Sequence, residues 1–308
     1  MILAVCPNAA LDLTYHVREL VPGSSHRVHT VEERAGGKAC NTARVLAQLS
    51  VEVSLCGFAG GARGARLREA LVGSGVKDRM TPIEGETRQS VAVVHDGHVT
   101  VLNEPGPWIS TGEWQALLTE VGRVLPEVRA VVLSGSLPPG VPDDGYAQLV
   151  RLAREHEVPS VLDAGGSELL AALSEQPTIA APNHHEVGDA LSAVLSDPED
   201  VFDAAGVLSG RSGGAVVVSV GGDGLVAVEG ARRWRVRPPR MLAGNPTGAG
   251  DALTAALAWG LAEGREMSDT LADAVSLAGA AVVRPTAGEV DPGVYRELRD
   301  LCEVEEVA

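Results

Sequence analysis

The sequence predicts an α/β fold, a mainly parallel sheet covered by helices, with a small β excursion standing off it. Three observations carry that expectation. From about residue 51 onward, β-branched apolar runs alternate with stretches of helical period, the rhythm of strands joined by covering helices. Residues 215–220, Ala-Val-Val-Val-Ser-Val, are a nearly unbroken apolar run, as a strand buried on both faces requires. Two segments, 11–33 and 89–102, break the rhythm: they mix polar and apolar residues with no helix inside them, the pattern of antiparallel ribbons.

Taken in order, residues 1–7 read as a first strand, since they lack the basic start and long apolar run of a signal peptide. Residues 51–58 predict a strand and 63–74 a helix. In the second excursion Asp96-Gly97 is a hairpin-turn pair between two apolar runs. Ser110 and Glu113 have the spacing of a capping box opening a helix to about residue 125. Strand 130–134, helix 144–156 and strands 160–163 and 178–181 follow, then helical patterns from 184 and from 198. Two long Ala/Leu-rich helices, 249–263 and 267–283, close the chain. The expectation is one domain over 1–308, its excursions (about 11–34 and 88–104) forming a lid.

The 308 residues carry a formal charge of −16, which repels nucleic acid and anionic membranes and argues against both as partners. Any phosphate site must then be a local island of Lys, Arg and backbone N–H groups. No apolar stretch approaches the length of a membrane span. Cys6, Cys40, Cys56 and Cys302 form no C-x-x-C pair and read as reduced thiols of a cytoplasmic protein. His184-His185 has no metal-ligand companions and reads as solvated helix surface.

The stretch from Gly244 to Thr254, Gly-Asn-Pro-Thr-Gly-Ala-Gly-Asp-Ala-Leu-Thr, feeds a glycine-rich turn into a helix. Such a turn exposes successive N–H groups at the positive end of the helix dipole, where a phosphoryl group can be held. Asp251 in the first turn could accept a proton from a hydroxyl aligned with that group. From spacing alone it could equally be an acidic residue placed to suit the dipole. Neither G-x-x-x-x-G-K-[ST] nor G-x-G-x-x-G occurs in the chain.

These residues resemble the second signature of the PfkB carbohydrate kinases, with its G-A-G-D core. Ala35-Gly36-Gly37-Lys38-Ala39-Cys40-Asn41 resembles the first. Between them, Ser134 to Gly140, Asn183-x-x-Glu186 and Ser219 to Gly224 look like family landmarks in the expected order. The resemblance covers essentially the whole chain and is closest to the sugar-phosphate branch of 1-phosphofructokinases and tagatose-6-phosphate kinases. It implies a three-layer α/β/α ribokinase-like fold with a small β-sheet lid that often doubles as a homodimer interface. It also implies ATP and Mg²⁺. Asp251 resembles the catalytic base, and the amides of Gly248, Ala249 and Gly250 its anion hole. Asp12 and Asn41 match sugar-binding positions, with Gly36 and Gly37 allowing close approach and Ser136 in the sugar-side loop. Arg27, Lys38 and Arg88 match cations for the phosphate the substrate already carries. Asn183 and Glu186 match the motif that organises Mg²⁺ through waters, although their spacing is also that of a helix cap. Asn183, Ser219, Gly221 and Gly224 match the nucleotide side.

Two departures stand out. Ala181 replaces the branch's lysine before Pro182-Asn183, and Ala39 replaces the glycine after Lys38. The implied reaction is phosphorylation of fructose 1-phosphate, with tagatose 6-phosphate or another sugar as alternatives. The departures motivate a rival of another class, a catalytically weakened sugar-phosphate-binding protein of the same fold.

Overall fold

A parallel strand between two helix layers must offer apolar side chains to both, and side-chain alternation does this here. In this computed structural model, which describes residues 1–95, 98–195 and 197–307, β1 (Ile2–Cys6) sends Ile2, Ala4 and Cys6 to one core and Leu3 and Val5 to the other. The chain then leaves the sheet as β2 (Ala10–His16) and β3 (Thr30–Gly36). It returns through α1 (Lys38–Gln48), β4 (Val53–Ala59) and α2 (Gly61–Gly73) to the short strands β5 (Lys77–Asp78) and β6 (Thr81–Pro82). The second excursion is β7 (Arg88–His95) and β8 (His98–Asn103). Next come α3 (Thr111–Val124), β9 (Ala130–Ser134), α4 (Gly145–Glu155), β10 (Ser160–Asp163) and α5 (Gly166–Leu173). After these follow β11 (Ile179–Ala180), α6 (His184–Leu191), α7 (Pro198–Ser212) and β12 (Ala215–Ser219). The last part comprises β13 (Leu225–Glu229), β14 (Arg232–Val236), α8 (Ala249–Glu263), α9 (Met267–Val282), α10 (Pro292–Leu301) and β15 (Val304–Val307).

The main sheet runs β15-β14-β13-β12-β11-β10-β9-β1-β4-β5, parallel from β12 to β5 and antiparallel at the other edge. Helices α1, α2, α8, α9 and α10 cover one face and α3 to α7 the other. This is the three-layer α/β/α arrangement. The four-stranded second sheet, β3-β2-β7-β8, is the lid. The capping boxes expected at Ser110/Glu113 and Asn183/Glu186 are both present.

Each excursion is the expected antiparallel ribbon, β2 with β3 and β7 with β8. The two ribbons join through a parallel pairing of β2 with β7, Ala10 opposite Arg88 through His16 opposite Val94. The main-sheet strand β4 and its flanking helices separate the two excursions, so each enters the lid from the same side. One expectation needs correction: the chain does not end on those two helices. Strand β15 pairs antiparallel with β14 at the sheet edge after α10. The turn expected at Asp96-Gly97 lies outside the described residues, though His95 and His98 pair on either side of it.

Candidate active site

The parallel strands end together, and their carboxyl ends supply one wall of a cleft. Such ends gather ligands because backbone and side chains there face outward from the sheet. Strand β10 ends on Asp163 and β9 on Ser134, paired in register, and Ser134 Oγ donates to Asp163 Oδ2 at 2.7 Å. Strand β12 ends on Ser219, whose N–H donates to Pro182 O at 3.2 Å. The cleft, of about 350 Å³, is lined by Asp163 and Ser219 from these ends, by the first turns of α1, α6 and α8, and by the lid residues Asp12, Arg88, Ser90 and Asn103. Lid register explains that last group. Arg34, Asp12, Ser90 and Asn103 stand directly across from one another on β3, β2, β7 and β8, so their side chains share one lid face.

Helix α8 holds the centre of the site. Gly248 precedes it with φ +90°, and a Cβ there would stand 2.9 Å from Ala287 Cα. Only glycine takes that turn without strain. Among the described residues the N–H groups of Gly248 and Gly250 have no acceptor, whereas the Ala249 N–H closes a turn onto Pro246 O at 3.1 Å. Two of the three amides expected in the anion hole are therefore free. The loop behind Gly248 is pinned by α1. Arg44 Nη1 donates to Ala287 O at 3.2 Å, and Gln48 Nε2 to Gly288 O at 2.8 Å. Glu289, paired with Arg34 and with Arg284, fixes the same loop.

Asp251 is buried and its Oδ2 accepts from Asn41 Nδ2 at 2.8 Å, while Thr42 Oγ1 donates to its backbone carbonyl at 3.1 Å. Burial pushes the Asp251 carboxyl up from an ordinary 3.8 to about 7. The charge of Asp163 adds to the rise, and the Asn41 bond and Lys38 oppose it. Asp12 lies over Gly36, where a Cβ would stand 1.9 Å from its carboxylate. Burial raises Asp12 to about 6 against the pull of Arg88 and Arg44.

Lys38 opens α1 and reaches across the cleft floor, its Nζ 3.1 Å from both Asp163 Oδ1 and Glu186 Oε1. Burial works against its charge, but the two carboxylates outweigh that and hold its pKa above the ordinary lysine value. Asn183 caps α6, its Oδ1 accepting from the His185 and Glu186 amides, and Glu186 Oε2 accepts from Asn183 N at 2.9 Å. These bonds occupy Asn183 Oδ1 and Glu186 Oε2, as Ser134 occupies Asp163 Oδ2, and the remaining carboxylate oxygens, Asp163 Oδ1 and Glu186 Oε1, are the two paired with Lys38. Among the described residues no group of three His, Cys, Asp or Glu gathers as an all-protein metal site. The donor set fits a Mg²⁺ held mainly by nucleotide phosphates and water, with one or two carboxylates at its margin.

Arg88 donates from Nε to Asn8 O at 2.9 Å and from Nη1 to Glu104 O at 3.3 Å. Ser136 accepts from Asn8 Nδ2 at 3.0 Å and lines an adjoining hollow with Lys38 and Glu186. Gly221 and Gly224, at φ +60° and +91°, shape the turn after Ser219 and do not line the cleft. Arg27 is exposed in the loop between β2 and β3, so the structure does not bring it to the other expected residues. Asp163, Ser90, Asn103 and Thr247 line the cleft unanticipated. For Asp163 a signal existed, a carboxylate closing an apolar strand, where burial needs a purpose. The register that brings in Ser90 and Asn103 has no local signature.

A family model described as pfkB family carbohydrate kinase matches residues 4–292. A tagatose-6-phosphate kinase of Staphylococcus epidermidis is 30% identical over 310 aligned positions, covering 100% of both chains. The structure of Escherichia coli phosphofructokinase-2 in complex with potassium superposes with TM-score 0.92 at 26% identity, covering 97% of this chain and 98% of that one. A Thermotoga maritima structure described as a possible 1-phosphofructokinase superposes with TM-score 0.91 at 26% identity over 100% of both.

Proposed function

We propose, for a chain that belongs to the pfkB family of carbohydrate kinases and has its ribokinase-like fold, that the acceptor is a ketohexose already carrying one phosphate. Fructose 1-phosphate, converted to fructose 1,6-bisphosphate, is the leading candidate. The observation that carries the chemistry is the first turn of α8, with a buried carboxylate beside two unoccupied amides.

ATP enters over Ser219 and Asn183, and the sugar lies against Asp12, Asn41 and Gly36-Gly37. The acceptor hydroxyl loses its proton to Asp251, whose Asn41 bond fixes the orientation of the carboxylate. Its oxygen bonds to the γ-phosphorus as the bond to the ADP oxygen breaks, and the electron pair of that bond leaves with ADP. Gly248 and Gly250 N–H groups meet the negative charge on the phosphoryl oxygens. Mg²⁺, when bound, neutralises phosphate charge next to Asp163 and Glu186. The lid excludes water from the closed cleft. Arg88 supplies a planar guanidinium for the acceptor's own phosphate, a preference that polar Ser90 and Asn103 beside it support.

Tagatose 6-phosphate is the second acceptor, favoured by the full-length 30% identity to a kinase of that name. A coupled ADP-release assay over fructose 1-phosphate, fructose 6-phosphate, tagatose 6-phosphate, ribose and fructose tests the reading. Turnover confined to sugar phosphates is expected. Turnover of the unphosphorylated sugars alone contradicts the acceptor class, and binding without turnover on every member favours a sugar-phosphate-binding protein.

Among the described residues no helix is long and apolar enough to cross a membrane, and the four cysteines are free thiols. The thiols suit a reducing cytoplasm, where we place the reaction. The lid's other face exposes Val31 and Leu102, at 58% and 61%, on opposite edge strands. That face is our candidate for a homodimer contact.

A further inference from the structure

Among the described residues two cations line the cleft, and they stand on different walls: Arg88 on the lid, Lys38 on the floor. The reaction brings two phosphates, the one the acceptor already carries and the one in transit. We infer that Lys38 serves the phosphoryl group in transit and not the acceptor's own phosphate, which falls to Arg88. This rests on the kinase reading above and reassigns one residue within it.

Position argues first. Arg88 is bonded to the backbone of Asn8, in the link from β1 to the lid, and of Glu104, just past β8, and lies beside the lid residues Ser90 and Asn103. Lys38 is bonded instead to the end of β10 and the first turn of α6, beside Asn183. That is the same wall on which Ala181 offers only a methyl group. Among the described residues lining the cleft, no second cation stands on that wall.

The tether argues next. Each carboxylate holding Lys38 has its other oxygen locked by an internal bond, Asp163 Oδ2 by Ser134 and Glu186 Oε2 by Asn183 N. Their free oxygens converge on one ammonium, so Lys38 is held by two fixed points. An ammonium has three N–H donors, and two are engaged. The third is available to a phosphoryl oxygen. The Lys38 side chain is 41% exposed, which leaves it room to follow that oxygen. During transfer the bond from phosphorus to the ADP oxygen breaks, the bond to the sugar oxygen forms, and the proton goes to Asp251. Lys38 acts only on the non-bridging oxygens, as a fixed positive charge.

Steady-state kinetics and calorimetry on Lys38→Met test this. The expected result is a fall in kcat of about 100-fold, the effect of removing one charge-assisted hydrogen bond from the transition state, with KM for the accepted sugar phosphate within about threefold. In calorimetry, wild type should bind AMP-PNP about tenfold tighter than ADP, and K38M should bind the two alike. Lys38→Gln keeps a donor toward both carboxylates, guards against a folding loss, and should behave as K38M does. A rise of tenfold or more in KM with kcat retained would return Lys38 to the acceptor's phosphate and overturn the inference. So would an AMP-PNP preference that is absent in wild type or undiminished in the variants. Wild-type inactivity on every sugar phosphate would sink the acceptor reading instead, and the calorimetric ratio would still decide the role of Lys38.

Discussion

On the floor of the cleft Asp251, Asn41 and Thr42 are buried and bonded to one another, whereas on the lid Arg88, Ser90 and Asn103 are half-buried or exposed. The lid residues bond to backbone carbonyls or to each other, as Ser90 Oγ does to Asn103 Oδ1 at 2.7 Å. The floor is braced from behind by α1 through Arg44 and Gln48; the lid sheet has open edges at β3 and β8. Groups that stabilise a transition state gain most when they need not reorganise, which suits the floor. Groups that admit and release a substrate must move, which suits the lid. Substitutions on the floor should therefore act on kcat and those on the lid on KM.

The sharpest way to break this division is Gly248→Ala. The added Cβ meets Ala287 Cα at 2.9 Å, and alanine resists φ +90°. We expect kcat to fall by about 100-fold or more, the cost of displacing an oxyanion-type donor, together with a lowered Tm. Unaltered kcat would show that the amides of this turn are not used. On the lid, Arg88→Ala should raise KM for the sugar phosphate by about 10–100-fold, the range for removing a hydrogen bond between charged groups, and keep kcat within about threefold. A kcat loss with KM unmoved would erase the distinction between floor and lid.

Three smaller effects sharpen it. Asp251 must be ionised to accept a proton, and its carboxyl is raised to about 7, so kcat/KM should fall below about pH 7. Asp163→Asn removes a negative neighbour and should move that limb to lower pH; a limb that stays put would mean another group is being titrated. The same raised pKa bears on stability. The folded state favours the protonated form, so its contribution is complete below about pH 3.8 and is lost as pH rises through about 7. Asp251→Asn should accordingly raise Tm at pH 8 and leave it nearly unchanged at pH 4 in thermal melts. The smallest effect belongs to the lid's other face. Leu102→Glu should leave kcat within about twofold, as an exposed substitution does, and weaken self-association in sedimentation.

Local chemistry was legible in the sequence where it is written in adjacent residues. The glycine turn before Asp251, the caps at Ser110 and Asn183, and the alternation that places β1 and β12 between two helix layers all depend on neighbours along the chain. The parts missed depend on residues far apart. Parallel pairing of β2 with β7 brings Ser90 beside Asp12, and only that register faces both toward the cleft. The pairing of Lys38 with Asp163 and Glu186, 125 and 148 residues away, likewise has no local signature. Arg27, matched by the resemblance to a cation position, stands exposed in the loop between β2 and β3. The edge strand β15 escaped notice because Val304–Val307 is a short, half-charged stretch, and pairing with β14 gives it its form.

Everything in the division between floor and lid turns on whether the carboxylate at the head of α8 takes the proton. Its direct test is the kinetics of Asp251→Asn at pH 8, where the wild-type group is ionised and the amide can still accept from Asn41. We predict a fall in kcat of about 1,000-fold, within the range for a lost general base, with KM for the sugar phosphate nearly unchanged. Turnover within a few-fold of wild type would contradict it.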